Sequence, residues 1–293
     1  MELMEIINGG LLGDASIRVR ENKYFYFNWY AKSVKFLEWL KGLLEENGIT
    51  NSYISLSSSK SQVYLLGFYI NKHPQLLDLR QKWYANIDGK TVKIVPGDLQ
   101  LTPTTLLFWY LGDGSLSRRK NDESRIPAVV LATNNFSLSD VLLLQKKLAE
   151  IGLNFYLVRY KSGFTGKYCG YALRSKTSDE TPYKFFELIG FVPPKEIANA
   201  VTGRKGKGSK LHKFKDKWPN EDEILKMMSN VKALGKILKK RRKQLGLTQK
   251  ELARLVGIST EHLKRVENGK RFASFKVLKS ICKTLGLTFH AGF

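Results

Sequence analysis

The sequence predicts an α+β protein, with a pseudo-two-fold duplicated core followed by a small all-α domain. Each half of the core is expected to run helix, strand pair, helix, strand pair, helix, an αββαββα order that forms an antiparallel sheet. Three observations support this fold class. A Leu-Gly-Asp motif occurs twice, 99 residues apart; the same order of elements follows each copy; and strand patterns stop near Leu234, where helical periodicity takes over.

The duplication is carried by Leu12-Gly13-Asp14 and Leu111-Gly112-Asp113. Each motif ends an apolar stretch of helical length and precedes a strand. A second helix follows in each copy and ends at a glycine, Gly48 or Gly152, before a strand that contains tyrosine. A proline-initiated aromatic helix then closes each copy. Because these landmarks recur in the same order, we interpret the core as a duplicated domain.

Changes in composition set the domain boundaries. The two repeats are placed at residues 1–97 and 98–202. Residues 203–232 are predicted to form a flexible basic linker, because Gly203–Lys210 is rich in glycine and lysine and has no apolar period. Residues 233–293 are predicted to form the all-α domain.

Two capped helices and a glycine turn define the all-α domain. Thr248 with Glu251 three residues later is a capping box, Ser259 is a second N-cap, and Gly257 lies in the turn between them. This spacing is typical of a helix-turn-helix, and the segment resembles the Cro/repressor family of DNA-binding domains. A helical bundle that binds protein is the alternative. The side chains expected to contact DNA are Gln249, Ser259, Thr260, Glu261, His262, Lys264 and Arg265.

Charge and composition narrow the choice of partner. The chain has 49 lysines and arginines against 26 acidic residues, a formal net charge of +23, and such a field attracts polyanions, nucleic acid first. No apolar run is long enough to span a bilayer, so no membrane partner is expected. The two cysteines lie far apart and suggest neither a disulfide framework nor a zinc site. We expect no signal peptide and an intracellular, non-secreted location.

The positions of the two motif aspartates are electrostatically unfavourable. A carboxylate at the C-terminus of a helix opposes the helix dipole at a cost of about 0.3–1 kcal/mol, and two such groups brought together by the pseudo-two-fold axis repel each other. A bound cation would offset both effects. Mg²⁺ suits the site because it takes hard oxygen ligands and keeps water and phosphate oxygens in its shell. The arrangement therefore favours metal-assisted phosphodiester hydrolysis.

Glycines in the first motif helix predict a close helix pair. Gly9 and Gly13 share one face of that helix, and without side chains they allow the second motif helix to approach. Phe108 stands at the position equivalent to Gly9. The helix interface is therefore expected to be less symmetric than the motifs.

These motifs resemble those of single-chain LAGLIDADG homing endonucleases. The likeness covers about residues 1–220 and is most specific at Leu101-Thr102-Pro103 and at the helix that leads into Gly112-Asp113-Gly114. It implies a duplicated LAGLIDADG core whose sheets bind the major groove of double-stranded DNA, in a monomer that acts as a pseudo-dimer. The implied activity is metal-dependent cleavage of both strands at one long, asymmetric site, as in intron homing.

The same resemblance assigns the metal ligands. Asp14 and Asp113 would be catalytic and would bind the metal together with the carbonyl oxygens of Gly13 and Gly112. The metal would be Mg²⁺ or another divalent cation such as Mn²⁺, with Ca²⁺ bound but not supporting cleavage.

The resemblance also identifies one catalytic lysine. Lys93, three residues before Pro96, corresponds to the basic residue that the family places near the scissile phosphate. In the second copy the corresponding place holds Asn199. The second lysine is therefore unassigned, with Lys195 or Lys205 as substitutes, and unequal cutting of the two strands is a possible consequence.

Alternating polar residues in the predicted strands are expected to contact DNA. Arg18 and Arg20 alternate with Ile17 and Val19, and this period-two pattern places polar side chains on one face, where they can reach base edges and phosphates. The solvated face of an ordinary sheet shows the same pattern. The predicted contacts are Arg18, Arg20, Ser55, Ser57 and Ser59 in the first repeat, Arg118, Arg119, Arg159, Lys161, Arg174 and Lys176 in the second, and Arg204 and Lys205 in the linker.

Two other functions share this fold and charge. LAGLIDADG-like folds joined to helix-turn-helix domains also occur as transcription regulators with decayed motifs, but both acids are present here. An RNA-binding intron maturase is the other alternative, and the sequence does not separate it from the nuclease.

Overall fold

The computed structural model describes residues 1–21, 23–56, 63–118, 125–161, 168–202, 212–228, 231–271 and 273–287. The chain folds into two compact units. The first comprises Met1–Ser117 and Ala128–Trp218, and the second comprises Arg118–Pro127 and Pro219–Phe293. None of the helices in these ranges is long and apolar enough to cross a membrane.

The first repeat has the predicted order of elements and ends with an additional hairpin. Its first four strands form one antiparallel sheet in the order β1-β2-β4-β3, and β5 pairs with β6. Two short 3₁₀ turns precede the third helix. The elements are α1 (Leu3–Leu12), β1 (Ala15–Arg20), β2 (Tyr24–Ala31), α2 (Val34–Glu46), β3 (Tyr53–Leu56), β4 (Tyr64–Tyr69), α3 (Leu79–Trp83), β5 (Tyr84–Ile87) and β6 (Lys90–Lys93).

The second repeat follows the same plan. Its sheet has the equivalent order β7-β8-β10-β9, and a short hairpin again follows its last helix. This confirms the predicted α+β duplication. The elements are α4 (Pro103–Asp113), β7 (Gly114–Ser117), β8 (Ala128–Ala132), α5 (Leu138–Glu150), β9 (Phe155–Lys161), β10 (Tyr168–Ser175), α6 (Thr181–Ile189), β11 (Val201–Thr202) and β12 (His212–Lys213).

Helices α1 and α4 pack directly against each other at their glycines. A Cβ atom on Gly9 would lie 2.5 Å from the carbonyl oxygen of Thr105 and 2.6 Å from Cβ of Phe108, closer than atoms in contact can be. A Cβ atom on Gly112 would lie 3.3 Å from Cα of Gly13. The close approach predicted from the glycines is therefore present, and it brings the ends of the two helices together.

The helix interface is asymmetric, as Phe108 predicted. The Phe108 side chain is fully buried. Its ring stacks on Trp39 with centroids 5.7 Å apart and meets the edge of Trp29 at 5.9 Å. The second repeat thus contributes a ring to the core of the first, whereas the equivalent Gly9 contributes none in return.

The structure differs from the predicted linker over residues 212–228. Residues 212–218 belong to the first unit, where Phe214 is buried with its ring 5.0 Å from that of Phe36. Trp218 is also buried. These aromatic side chains hold the segment in place, whereas the linker prediction rested on the glycine and lysine content upstream. Residues 203–211 lie outside the described ranges.

The described part of the second unit contains five helices. The first of them, α7, falls inside the predicted linker, yet its Leu225 belongs to the same buried cluster as the helix-turn-helix side chains. The all-α domain is therefore larger than predicted from composition. The helices are α7 (Glu221–Met228), α8 (Val231–Gln244), α9 (Gln249–Val256), α10 (Thr260–Glu267) and α11 (Phe275–Thr284).

The turn between α9 and α10 has the predicted caps. Thr248 and Glu251 form the capping box, with Thr248 N donating to Glu251 Oε2 at 2.7 Å. Gly257 adopts a left-handed φ of 75°, and Ser259 Oγ accepts from the amide of His262. A helix-turn-helix arrangement is therefore present.

Candidate active site and nucleic-acid interface

The two motif aspartates lie where the paired helices end. Asp113 is the last residue of α4, and Asp14 follows Gly13, which caps α1. Both side chains line one cleft of about 290 Å³, together with Lys93. The glycine contact between α1 and α4 thus produces the convergence of acids that the duplication predicted.

The two carboxylates interact unfavourably, as the sequence predicted. Asp113 is half-buried, whereas Asp14 is exposed. Burial, and then the charge on Asp14, raise the pKa of Asp113 to about 7, although Lys217 and Lys93 oppose the shift. Without a cation, Asp113 is therefore about half protonated at neutral pH, whereas an ordinary aspartate is fully ionised.

Lys93 reaches the site from the end of strand β6. Its Nζ donates to the carbonyl oxygen of Ala15 at 2.8 Å, one residue past Asp14. Burial lowers the pKa of Lys93 to about 8, and the opposing effects of Asp113 and Asp14 do not cancel this. A lysine with this pKa keeps its charge near neutral pH and can lose its proton just above it.

Lys217 is the second lysine of the site, and the sequence reasoning missed it. It ends the 3₁₀ turn Phe214–Lys217. Its Nζ donates to the carbonyl oxygens of Leu111 at 2.8 Å and Gly112 at 3.2 Å. Burial lowers its pKa to about 8 against the effects of Asp14 and Asp113. Lys217 is therefore the second lysine beside the aspartates, which the sequence left unassigned.

The substitutes considered for this position are not at the site. Lys195 is exposed and has no described contact with the two aspartates, and Lys205 lies outside the described ranges. Asn199 is also exposed. A signal was present in Lys217-Trp218-Pro219, a lysine shortly before proline as in Lys93 to Pro96, but it lies outside the 99-residue register of the repeat.

The donor set suits a hard divalent cation. Two carboxylates and the carbonyl oxygens at a helix end are the oxygen ligands that Mg²⁺ takes, with water or phosphate completing its shell. The described part of the chain contains no cluster of three or more His, Cys, Asp or Glu side chains that would suit another type of metal centre. The raised pKa of Asp113 is the observation that points to a cation.

Comparison with family models decides the relationship. Residues 4–172, more than half of the chain, match the LAGLIDADG DNA endonuclease family. The chain belongs to this family. Residues 238–290 match a helix-turn-helix family.

Three individual proteins are similar to parts of this chain. An uncharacterized protein of Methanocaldococcus jannaschii is 31% identical over 183 residues, which are 57% of this chain and 67% of the relative. Cytochrome b mRNA maturase bI2 of Debaryomyces hansenii is 27% identical over 203 residues, 66% of this chain and 71% of the maturase. A solved structure of the homing endonuclease I-WcaI bound to its DNA recognition sequence is 20% identical, with 64% of this chain and 82% of that chain covered and a TM-score of 0.49.

In this LAGLIDADG protein, strand register places the predicted contacts of the first sheet. Arg18 pairs with Tyr26, and Arg20 pairs with Tyr24, on the face opposite the buried Ile17. Both arginines are exposed, and the Arg18 guanidinium lies 5.5 Å from the ring centroid of Tyr30. Ser55 is exposed on the same face, in register with Leu65 of β4. This face is rich in arginine and tyrosine. Ser57 and Ser59 lie outside the described residues.

Among the described residues, the second sheet of the LAGLIDADG core presents fewer charges than the first. Arg174 is half-buried, and its Nη1 donates to Ser117 Oγ at 3.0 Å. Arg159 is exposed, but its register partner Tyr171 and the period of the strand place it on the face opposite Arg174. Lys176 is exposed just beyond the end of β10. The side chain of Lys161, together with Arg119, Arg204 and Lys205, lies outside what the structure describes.

Arg118 makes an ion pair that the sequence did not predict. It is engaged by Glu223 of α7, with Nε to Oε1 at 2.7 Å and Nη2 to Oε2 at 3.0 Å. Glu223 is buried and also accepts from the amide of Asn220 at 3.0 Å. A bidentate pair of this kind is among the stronger charge-assisted contacts. Arg118 is therefore paired with Glu223, although its side chain is still 41% exposed.

The helix-turn-helix residues divide into exposed and structural groups. Ser259, Thr260, Glu261, Lys264 and Arg265 are exposed, with Arg265 Nε and Glu261 Oε1 3.0 Å apart. His262 is half-buried, and burial lowers its pKa.

Gln249 belongs to the structural group. Its amide donates to Glu267 Oε2 at 2.7 Å, and Glu267 forms a buried bidentate pair with Arg242. This network joins α8, α9 and the end of α10. The amide that we expected at a phosphate thus has an internal acceptor.

Proposed function

We propose that this protein is a site-specific DNA endonuclease that uses a divalent metal, Mg²⁺ first, to hydrolyse both strands of double-stranded DNA at one long, asymmetric site. Family membership supports DNA as the substrate. The observation that carries the proposal is the convergence of Asp14 and Asp113 in one cleft with Lys93, where the pKa of Asp113 is raised to about 7. Two acids at helix ends are unfavourable for the fold alone, and a catalytic cation explains their presence.

The residues at this site would divide the work. Asp14 and Asp113 would hold the cation, with the main-chain carbonyls of Gly13 and Gly112 within the same helix ends. When bound, the metal would supply charge stabilisation and a more acidic water for phosphodiester hydrolysis. Lys93 and Lys217, each held by a main-chain carbonyl, would place positive charge beside the reacting phosphates.

The sheets and the helix-turn-helix would bind DNA together. The face of the first sheet that carries Arg18 and Arg20 would contact one half-site. The face of the second sheet that carries Arg174 would contact the other. The exposed α10 side chains would add contacts to an additional segment of the duplex. Since phosphate contacts dominate affinity, binding should be strongly salt-dependent.

The test begins with selection of cleaved sites from a random duplex library with Mg²⁺. On the selected site, Asp14→Asn and Asp113→Asn should each abolish cleavage, because each removes a proposed ligand of the metal that assists hydrolysis. DNA binding in Ca²⁺ should persist. Glu38→Gln is the control, since it removes an exposed carboxylate of α2 that does not line the cleft. Unchanged cleavage in both active-site variants, or failure to recover any cleaved duplex, would contradict the proposal.

A second candidate is RNA binding in intron splicing. The similarity to cytochrome b mRNA maturase bI2 favours it. The two functions predict different ligands: the nuclease selects duplex DNA from a mixed pool, whereas a maturase would select structured RNA and would retain that affinity in Asp14→Asn.

A further inference from the structure

The outer edge of strand β1 is covered by side chains rather than by another strand. β1 lies at the edge of its sheet, so only one side of it pairs with β2. On the other side, the carbonyl oxygen of Ala15 accepts from Lys93 Nζ at 2.8 Å. Two residues along, the amide of Ile17 donates to the hydroxyl oxygen of Tyr84, also at 2.8 Å.

These two partners are themselves neighbours. Tyr84 and Lys93 are paired residues in the β5–β6 hairpin. Directly opposite residues in an antiparallel pair have Cβ atoms about 4.5–5.5 Å apart. The hairpin therefore places the Lys93 amine and the Tyr84 hydroxyl at a spacing that matches two main-chain groups of β1. These groups, the carbonyl of Ala15 and the amide of Ile17, are not paired with β2.

The Tyr84 ring is held in place from behind. The Arg80 guanidinium, one turn earlier in α3, lies 4.1 Å from the centroid of the ring. Tyr84 is half-buried and lines no part of the cleft that contains the two aspartates. It is thus placed to orient the hairpin without contacting the reacting groups.

Lys217 is held by a different arrangement. Its Nζ donates to the last carbonyls of α4, and the hydroxyl of Tyr110, within α4, donates to the carbonyl oxygen of Lys217 itself. No described contact joins Tyr84 to this arrangement. Loss of the Tyr84 hydroxyl should therefore disturb one lysine and leave the other in place.

We propose that Tyr84 is a positioning residue that fixes Lys93 beside Asp14 by tying the β5–β6 hairpin to the edge of β1, and that it acts on one DNA strand only. The strand selectivity rests on the proposed nuclease function. The positioning of Lys93 does not, and it can be measured without DNA or metal.

The first test is chemical labelling of lysine amines in the free protein, followed by mass spectrometry. In Tyr84→Phe, the labelling rate of Lys93 should rise several-fold, and that of Lys217 should stay within twofold of the wild type. Tyr183→Phe, which removes the hydroxyl of a half-exposed tyrosine in α6, is the matched control and should change neither rate. Unchanged labelling of Lys93 in a folded Tyr84→Phe protein would overturn the proposal.

The second test uses a supercoiled plasmid that carries the selected site. Tyr84→Phe should slow cleavage of one strand about 10-fold, because small misplacements of a catalytic group cost this much or more, so nicked circles accumulate. Equal slowing of both strands would overturn strand selectivity. If no protein cuts any DNA while Lys93 labelling still rises, the nuclease proposal fails and the positioning role stands.

Arg80→Met provides a second variant in case Tyr84→Phe unfolds. It removes the guanidinium behind the ring but keeps the hydroxyl, so Lys93 labelling should rise by less than in Tyr84→Phe. Labelling of Lys93 equal to the wild type in this variant, with Tyr84→Phe unfolded, would also count against the proposal.

Discussion

The two halves of the candidate site supply the same chemical group from different local structures. In the first half, Lys93 comes from a regular hairpin and binds a carbonyl of the strand after Asp14. In the second, Lys217 comes from a 3₁₀ turn and binds carbonyls of the helix before Asp113. The aspartates have stayed in register, whereas the lysines have not. Both halves of the candidate site therefore contain a lysine, but different local structures position it.

The helix interface shows the same contrast. Phe108 of the second motif helix packs among the tryptophans of the first repeat, whereas Gly9 of the first motif helix contributes no side chain and allows the close approach.

Phe108→Ala should lower the free energy of unfolding by about 3–5 kcal/mol, because a fully buried ring is lost and a cavity remains. Chemical denaturation measures this. Leu142→Ala, on the exposed face of α5, should change stability by less than about 0.5 kcal/mol. A loss below 1 kcal/mol for Phe108→Ala would show that the Phe108 ring adds little to the stability of the interface, and that the asymmetry has no energetic consequence.

The lysines offer the direct comparison of the two halves. Lys93→Met and Lys217→Met should each slow one cleavage step about 100-fold, the lower end of what a positioned catalytic group contributes, and they should do so on opposite strands. End-labelled duplexes, with each strand labelled separately, would show which strand stays intact. Both variants affecting the same strand, or both strands equally, would mean that the lysines act on a single shared centre.

The pH dependence of stability tests the electrostatic cost of the aspartates. Asp113 has a folded-state pKa raised from 3.8 to about 7, so the folded protein binds more protons than the unfolded chain between these values. Its contribution to stability is therefore fully present below pH 4 and is lost as the pH rises through 7. In the absence of metal, Asp113→Asn should become more stable than the wild type by about 1–3 kcal/mol as the pH rises to 7, on the scale of about 1.4 kcal/mol per pKa unit.

Urea melts at pH 4 and pH 7 in EDTA measure this difference. Mg²⁺ should then raise the melting temperature of the wild type at pH 7 and leave that of Asp113→Asn nearly unchanged, since only a site that binds the ion is stabilised by it. A wild type that is more stable than Asp113→Asn at pH 7 without metal would contradict the strain argument.

The helix-turn-helix should contribute the smallest effect. Lys264→Gln with Arg265→Gln removes two exposed cations from α10. If both contact phosphates, the slope of log Kobs against log[salt] should become shallower by about 2, near 0.9 per phosphate contact. Cleavage at saturating protein should be unaffected. Gel-shift titrations at several salt concentrations measure the slope, and Lys195→Gln with Lys215→Gln, two exposed lysines of the other unit, is the matched control.

The sequence predicted the fold wherever local patterns and the repeat agreed. The helix ends at Asp14 and Asp113, the sheet alternation at Arg18, and the Thr248 capping box all follow from short-range rules that hold in any context. Gly9 predicted the close helix pair because only packing of that kind requires the absence of a side chain.

Long-range pairing explains what the sequence did not predict. Lys217 lies 124 positions after Lys93, so the 99-residue register of the aspartates stops 25 residues short of it. The sequence predicted that Gln249 and Arg118 contact DNA. In the structure, Gln249 donates to the buried Glu267, and Arg118 pairs with Glu223. In each case a polar side chain binds a partner that is distant in sequence. The periodicity of a local segment does not predict such a contact.

The Arg118–Glu223 pair sets a condition for building chimeras from this protein. A designer who replaces the C-terminal module by cutting the chain once, at Pro219, would remove Glu223 and leave its bidentate partner behind. The module has two borders, because its unit also includes Arg118–Pro127, which connects β7 to β8 near the start of the second repeat. An exchangeable cassette would therefore consist of the tail and the β7–β8 loop, transferred together.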